Sequence, residues 1–263
     1  MYLQTVSFLQ NEFIIFNLQK TMIGRTLKKK LIEASKHYPV VTLTGPRQSG
    51  KTTLVRMAFP DYEYVSLEEP DQRTFALEDP RGFLSQFSDK VILDEVQHTP
   101  DLFSYIQTIV DIKDISGQFV LTGSQNFLLL QKVSQSLAGR CAILHLLPFS
   151  LSEIRQRHPL SIDSVGQRLP KKNRYLDEDL ATILLQGFYP RIHDKGLNPG
   201  DWLGNYYQTY IERDVRDILS VGDLETFSRF VRLCAGRNGQ LLNLSSLAND
   251  CGVTHTTSKR WIS

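Results

Sequence analysis

The sequence predicts an α/β protein in which helices cover both faces of a parallel β-sheet. Short β-branched and apolar runs alternate with helical patterns over residues 22–158. Two of these runs end in residue patterns typical of nucleotide-binding loops, and parallel strands bring such loops to one edge of a sheet. From residue 179 onward the pattern is helical, which predicts a second region of different architecture.

The composition is that of a folded globular protein. The chain has 263 residues, of which 41% are hydrophobic and 22% charged, and its net charge is +2. Charge alone therefore does not point to a polyanionic partner. The three cysteines, Cys141, Cys234 and Cys251, lie far apart and lack the spacing of a metal site. They predict a reduced, cytoplasmic protein, and no apolar run approaches the ~20 residues of a membrane span.

The first 21 residues carry neither a clear period nor a motif. Glu12 interrupts their apolar stretch, and no small-residue cleavage site follows, which argues against a signal peptide. Met22 is a more natural start, so residues 1–21 are expected to be a poorly ordered leader. Residues 25–37 then predict an amphipathic helix with a basic, solvated face.

The most informative stretch fits the phosphate-binding (Walker A) pattern G-x-x-x-x-G-K-[ST], with a predicted strand before it and a predicted helix after it. Consecutive backbone N–H groups of such a loop surround an anion. Lys51 is placed to reach the β- and γ-phosphates, and the Thr52 hydroxyl to bind Mg²⁺. The predicted phosphate-binding residues are Gly45, Pro46, Arg47, Gln48, Ser49, Gly50, Lys51, Thr52 and Thr53.

Two acids, Asp94 and Glu95, end a second apolar run. We expect Asp94 to hold Mg²⁺ opposite Thr52, and Glu95 to polarise the attacking water. An acid at the end of a strand is a weak signal by itself. It is strengthened here by its position 43 residues after Lys51 (94 minus 51) in the same α/β alternation.

Polar residues follow the next predicted strand, over residues 118–122. A side chain at this tip can orient the water or contact the γ-phosphate, with Ser124 as first candidate and Gln125 and Thr122 as alternatives. Capping of the following helix explains Ser124 equally well. Arg140 precedes the predicted fifth strand. It can stabilise the transferring phosphoryl group, in cis or from a neighbouring subunit, or it can bind the last carbonyls of a helix.

The C-terminal part is predicted to be α-helical over residues 159–235 and to contain a helix-turn-helix over 236–263. Residues 244–254 form the first helix and a glycine turn in this interpretation. The second helix offers Thr256, Thr257, Lys259 and Arg260 for contacts with DNA. A packing or partner-binding module is the alternative, because the same architecture often binds proteins.

Taken in order, these motifs resemble a widespread group of prokaryotic AAA-type ATPases. The resemblance extends from Met22 to the end and rests on Val40–Leu54, Leu93–Gln97, Leu121–Ser124, Leu137–Arg140, Pro148–Ser150, Gly187–Arg191 and Tyr210–Asp214. Members join an AAA-type ATP-binding core to a winged-helix segment and a C-terminal domain that resembles a restriction endonuclease. Neither the wing nor that last domain is found here. The chain is therefore expected to be a C-terminally truncated member with an incomplete winged helix-turn-helix.

The resemblance implies ATP and Mg²⁺ as ligands, and it favours Arg140 as an arginine near the γ-phosphate. Arg191 and Arg213 also lie in family-like motifs, but no chemistry is assigned to them. The sequence shows no Asn/Thr-Lys-x-Asp motif of the kind that reads guanine, which favours ATP over GTP.

Two functions remain open at this point. In the first, the chain is an ATPase in which Lys51, Glu95, Ser124 and Arg140 act in hydrolysis. In the second, it is a nucleotide-dependent switch that hydrolyses little and positions its second domain for a DNA or protein partner, with self-association also open. A small-molecule kinase is disfavoured, because no acceptor-site motif is visible.

Overall fold

The structure is a computed structural model that describes residues 23–87, 89–124, 136–157, 180–210 and 224–262. These residues divide into two compact units. The first contains a β-sheet and reaches Ile183, and it also includes Gly187–Gly196. The second comprises Leu184–Gln186 and the residues from Leu197 onward.

The sheet of the first unit has five strands, which are β1 (Val40–Gly45), β2 (Glu63–Ser66), β3 (Val91–Asp94), β4 (Phe119–Ser124) and β5 (Cys141–His145). Their order is β2-β3-β4-β1-β5, and every neighbouring pair is parallel. This confirms the predicted α/β class with a five-stranded parallel sheet. Because the strands are parallel, the residues that follow β1, β3 and β4 meet at one edge.

The described helices of the first unit are α1 (Leu27–His37), α2 (Lys51–Ala58), α3 (Pro70–Glu78), α4 (Pro80–Ser85), α5 (Leu102–Lys113), α6 (Leu151–Ile154) and α8 (Pro190–Lys195). Helix α7 (Leu180–Gln186) lies at the boundary between the units, and a 3-10 turn covers Val96–His98. The second unit contains α9 (Pro199–Tyr210), α10 (Leu224–Gly236), α11 (Leu244–Cys251) and α12 (His255–Ile262). Within the described chain, no helix is long and apolar enough to cross a membrane.

Apolar side chains cover both faces of the sheet. Successive residues of a strand point to opposite faces, so Val40 joins one cluster with Ile106 of α5, and Val41 joins another with Leu31 of α1. Both clusters are buried. Burial on two faces explains why the strands are almost continuously apolar rather than alternating.

Local chemistry sets several helix ends. Helix α8 begins at Pro190, inside the family-like segment Gly187–Arg191. Proline suits the first position of a helix, because its missing N–H would have no partner there. Ser150 caps α6 in a reciprocal arrangement with Glu153. Residues 158–179 lie outside the described residues, and with them the beginning of the part predicted to be α-helical over 159–235.

The second unit packs around aromatic rings. Trp261 of α12 meets Phe230 of α10 edge to face, with ring centroids 5.3 Å apart. Between α11 and α12 the chain turns at Gly252, which has a φ of 74° that favours glycine. Thr254 then caps α12, since its Oγ1 accepts a hydrogen bond from the Thr257 N–H at 3.1 Å. The helical C-terminal region is therefore present as predicted.

Candidate functional site

The loop between β1 and α2 depends on two glycines for different reasons. Gly50 ends the loop with a φ of 90°, a left-handed conformation directly before the first turn of α2. At Gly45 the limit is space, because a Cβ atom there would lie 2.1 Å from the Leu146 carbonyl oxygen. The loop is thereby pressed against the segment that follows β5, and the amino end of α2 is left to face an anion.

Lys51 is buried at the start of α2, with 5% of its surface exposed. Its Nζ donates hydrogen bonds to the carbonyl oxygens of Gly45 and Pro46, both at 3.1 Å. Burial lowers the pKa of Lys51, while the charges of Glu95 and Asp94 oppose this. The buried Ser49 hydroxyl has no hydrogen-bond partner among the described residues. A buried ammonium and a spare hydroxyl donor fit a bound phosphate.

The remaining phosphate-loop candidates lie around this centre. Gln48 is exposed and has a positive φ of 62°. The guanidinium of Arg47 lies 4.0 Å from a carboxylate oxygen of Glu68. Pro46 contributes the carbonyl already described, and Thr53 is exposed on the first turn of α2.

Asp94, at the end of β3, is the most highly connected acid of this edge, and 3% of its surface is exposed. Its Oδ2 accepts hydrogen bonds from the hydroxyls of Thr52 and Tyr64, each at 2.8 Å. Its Oδ1 accepts one from Thr122 of β4. Burial of Tyr64 and its hydrogen bond to Asp94 raise the pKa of the Tyr64 phenol, so the phenol remains a donor.

A carboxylate and a hydroxyl side by side are the hard oxygen ligands that Mg²⁺ prefers. Thr52 and Asp94 supply this pair. No group of three or more His, Cys, Asp or Glu side chains in the described parts of the chain can hold a metal. A cation between these two residues therefore has to take its other ligands from phosphate and water.

Glu95 adopts a left-handed backbone conformation, with φ 59° and ψ 45°. This conformation is costly for a residue other than glycine and tends to occur where function requires it. The Glu95 carboxylate accepts a hydrogen bond from Gln97 and lies 3.4 Å from the Ser124 hydroxyl. Ser124 and Glu95 are thus brought together beside Asp94, while Gln125 lies outside the described residues.

Arg140 is not brought to this edge. It precedes β5, and its carbonyl accepts a hydrogen bond from the Val40 N–H at the beginning of β1. Its guanidinium pairs with Asp111 of α5 and donates to the carbonyl of Ala138 at 3.1 Å. Arg140 lies where the parallel strands β1 and β5 begin, whereas Lys51 follows the end of β1. Arg140 therefore does not fit an action on a phosphate bound at Lys51 of the same chain. A role in a neighbouring subunit stays a prediction.

Arg25 is a site residue that the sequence did not indicate. Its Nη1 donates to the Ser49 carbonyl at 2.8 Å, and its Nη2 to the Leu147 carbonyl at 2.5 Å. Its Nε pairs with Glu153 at 3.3 Å, and its guanidinium stacks over the Phe149 ring at 4.8 Å from the centroid. Arg25 therefore joins the phosphate loop to the segment after β5.

Three other polar residues lie near this edge or in the family-like motifs. His98 is half-buried in the turn that follows Glu95, and burial lowers its pKa. Arg191 is exposed on α8. Arg213 lies outside the described residues, so neither arginine acquires a role.

Comparison with known protein families identifies the first unit. The AAA domain family matches residues 37–155, which include the phosphate loop, Asp94 and Glu95. These residues form a domain of the AAA type. Residues 177–263 match a second family, a domain of unknown function (DUF8612).

Two curated relatives resemble the chain beyond this AAA domain. They are the uncharacterized proteins Mb2031c of Mycobacterium bovis and Rv2008c of Mycobacterium tuberculosis. Each is 30% identical over 241 residues, which cover 90% of this chain and 50% of the relative. The chain thus spans about half the length of the curated relatives it matches.

Solved structures with similar folds include a Walker-type ATPase, paby2304, of Pyrococcus abyssi. It has a TM-score of 0.49 at 14% identity, and the match covers 92% of this chain and 96% of that one. The AMPPCP-bound DnaA of Aquifex aeolicus has a TM-score of 0.41 at 15% identity, covering 90% and 84%.

Proposed function

We propose that the AAA domain binds ATP with Mg²⁺ at the carboxyl edge of its sheet and hydrolyses the terminal phosphate. The observation that carries this proposal is the 2.8 Å hydrogen bond between the Thr52 hydroxyl and Asp94 Oδ2. It joins the helix of the phosphate loop to the acidic end of β3, with Glu95 as the next residue. These are the parts that phosphoryl transfer to water requires.

Each residue has a distinct task in this proposal. Lys51 and the loop N–H groups hold the phosphates, and Thr52 and Asp94 hold the metal. When bound, Mg²⁺ neutralises charge on the phosphate oxygens. Glu95 orients a water and accepts its proton, and the Ser124 hydroxyl helps to position that water. Tyr64 and Thr122 keep the Asp94 carboxylate in one orientation through the hydrogen bonds they donate.

In this proposal the base of the nucleotide lies next to the phosphate loop. A small cleft beside α2 is lined by Thr53 and Met57, by Phe149 and by Pro190 of α8. Its walls are largely apolar and its volume is about 50 Å³, so it can contact an edge of a nucleobase without enclosing it. Asp194 also lines the cleft and offers an acceptor to an exocyclic amino group.

The proposal is tested by measuring binding of a fluorescent ATP analogue and release of phosphate in the same samples. Lys51→Ala is expected to weaken binding by more than about tenfold. Glu95→Gln is expected to retain binding and to lower turnover by about 10²–10⁴-fold. Lys30→Ala, on an exposed face of α1, serves as the matched control. Binding that survives Lys51→Ala unchanged would refute the assignment of the loop.

A second candidate is the nucleotide-dependent switch that acts on DNA. It is favoured by α12, which Thr254 caps and on which Thr256, Lys259 and Arg260 are exposed. In this case wild type and Glu95→Gln release phosphate at the same low rate. Duplex DNA then binds with a salt dependence that becomes shallower when Arg260 is replaced by glutamine.

A further inference from the structure

The structure contains a pocket at the edge of the sheet opposite the phosphate loop. It lies between α4 and α5, and its inner end reaches Gln118 and Phe119, where β4 begins. Phe119 pairs with Val40 and Val91, the first residues of β1 and β3. The volume of about 570 Å³ is that of a small-molecule site.

Aromatic and aliphatic side chains form the walls of this pocket. Phe87, Tyr105 and Phe119 contribute rings, and Leu84 and Ile109 contribute aliphatic surface. Phe119 and Leu84 are buried, whereas Phe87, Tyr105 and Ile109 are partly exposed to the open space. An apolar ring or chain of a ligand can cover this surface and remove it from water.

The charged side chains that line this pocket are all positive. Arg81 and Lys113 are both exposed at the rim, and the described residues that line the pocket include no carboxylate. The Arg81 guanidinium stands 5.9 Å from the centroid of the Tyr105 ring. A cation beside an aromatic wall can pair with an anionic group of a ligand whose apolar ring contacts the wall.

Gln118 supplies a polar group at the floor. Only 3% of its surface is exposed, and its Oε1 accepts no hydrogen bond from the described residues. A buried acceptor without a donor is unfavourable, so a ligand that brings an N–H or O–H to this point gains a hydrogen bond. Rotation of the terminal amide is enough to turn an acceptor or a donor toward the pocket.

We propose that this pocket binds a small amphipathic anion, with an apolar ring, one acidic group for Arg81 and one N–H or O–H donor for Gln118. From rim to floor, the pocket presents the Arg81 cation, then the aromatic wall, then the unpaired acceptor of Gln118. The ligand carries its anion, its ring and its donor in the same order. Such a ligand and a nucleotide occupy opposite ends of β4, so both bind at once.

The test uses two dyes that share their rings and their N–H. The isomer of anilinonaphthalene sulfonate (ANS) to be used is 2-anilinonaphthalene-6-sulfonate, which carries the acidic group at the opposite end of the naphthalene from its N–H, and N-phenyl-2-naphthylamine lacks that group. We expect one ANS site per folded chain by fluorescence titration, retained in the Lys51→Ala variant. Thr108→Trp fills the rim of the pocket and is expected to abolish binding of both dyes. Lys30→Gln, which removes one exposed charge elsewhere, is expected to change neither.

Two substitutions separate the two polar contacts. Arg81→Gln is expected to weaken ANS roughly fivefold and N-phenylnaphthylamine hardly at all, because only ANS carries the anion. Gln118→Leu is expected to weaken both dyes equally, because both carry the N–H. ANS binding that persists in Thr108→Trp would place the dye elsewhere and overturn the proposal. Equal loss of both dyes in Arg81→Gln would overturn the assignment of the anion.

Discussion

The Thr52 hydroxyl donates a 2.8 Å hydrogen bond to Asp94 Oδ2, although the two residues belong to different elements and are 42 positions apart. Thr52 sits in the first turn of α2, and Asp94 ends β3. Two oxygens at this separation can both contact one Mg²⁺ ion. In the proposed function the pair therefore needs little reorganisation when the metal binds.

Replacement of Thr52 tests this pair. Thr52→Ala removes a metal ligand and leaves Asp94 Oδ2 with the Tyr64 hydroxyl as its described donor. We expect the Mg²⁺ concentration needed for half-maximal ATP binding to rise about tenfold. Thr52→Ser retains the hydroxyl and is expected to stay near the wild type. A titration with Mg²⁺ at fixed ATP compares the three proteins, and equal midpoints for Ala and Ser would count against metal binding here.

The backbone of Glu95 makes a separate prediction. Its left-handed conformation, with φ 59°, suits glycine better than any residue with a β-carbon. Glu95→Gly and Glu95→Ala both remove the carboxylate and so both abolish turnover. Only the glycine variant relieves the backbone, so it is expected to be more stable than the alanine variant by about 1 kcal/mol. Urea unfolding measures the difference, and an alanine variant of equal stability would mean that this backbone is not strained.

Arg25 is expected to matter for both stability and nucleotide binding. Its side chain and that of Glu153 are 9% and 8% exposed, so removal of the guanidinium leaves a buried carboxylate without its cation. Arg25→Ala is expected to lower the free energy of unfolding by about 3 kcal/mol and to weaken ATP binding. Arg25→Lys keeps the charge but lacks the planar fork that reaches Ser49, Leu147 and Glu153 in different directions, so it should recover only part of the stability.

Urea unfolding and ATP titration of these two variants check the Arg25 prediction. Lys29→Ala, an exposed residue of α1, is the control. A loss of stability with unchanged ATP affinity would show that Arg25 supports the fold without positioning the phosphate loop.

Glu153 gives the fold a dependence on pH. Burial alone would raise the pKa of Glu153, but the N–H groups of Ser150 and Thr26 and the charge of Arg25 together lower it. A lowered pKa means that the stabilisation is complete above the ordinary glutamate value of about 4.3 and is lost as pH falls through the folded-state value. Urea unfolding between neutral and acidic pH should therefore show a shallower acid loss for Glu153→Gln than for the wild type. Parallel curves would contradict the assignment.

The site residues that could be predicted from the sequence all lie within a recognisable pattern of neighbouring residues. The phosphate loop is a contiguous motif, and Asp94 and Glu95 end an apolar run. Arg25 has no such pattern, because its partners lie 24 to 128 positions away and most are backbone carbonyls. Only the folded chain brings them together.

Two other points could have been reached from the sequence by a further step. Arg140 precedes a predicted parallel strand, and that alone assigns it to the edge away from the loops that follow the strands. Pro190 stands where helix α8 begins, which is a favoured position for proline. The contact of Tyr64 with Asp94 was not accessible in this way, because it depends on the pairing of β2 with β3.

The position of β1 between β4 and β5 has a consequence for the order in which the sheet exchanges its amide protons with solvent. Val41 and Leu43 are buried and belong to a strand with hydrogen-bonded neighbours on both sides. Their amides should exchange only when the whole unit opens, whereas those of β2, at the border of the sheet, should exchange earlier. The phosphate loop thus starts from one of the inner, slowly exchanging strands, and fraying at the border of the sheet leaves it in place.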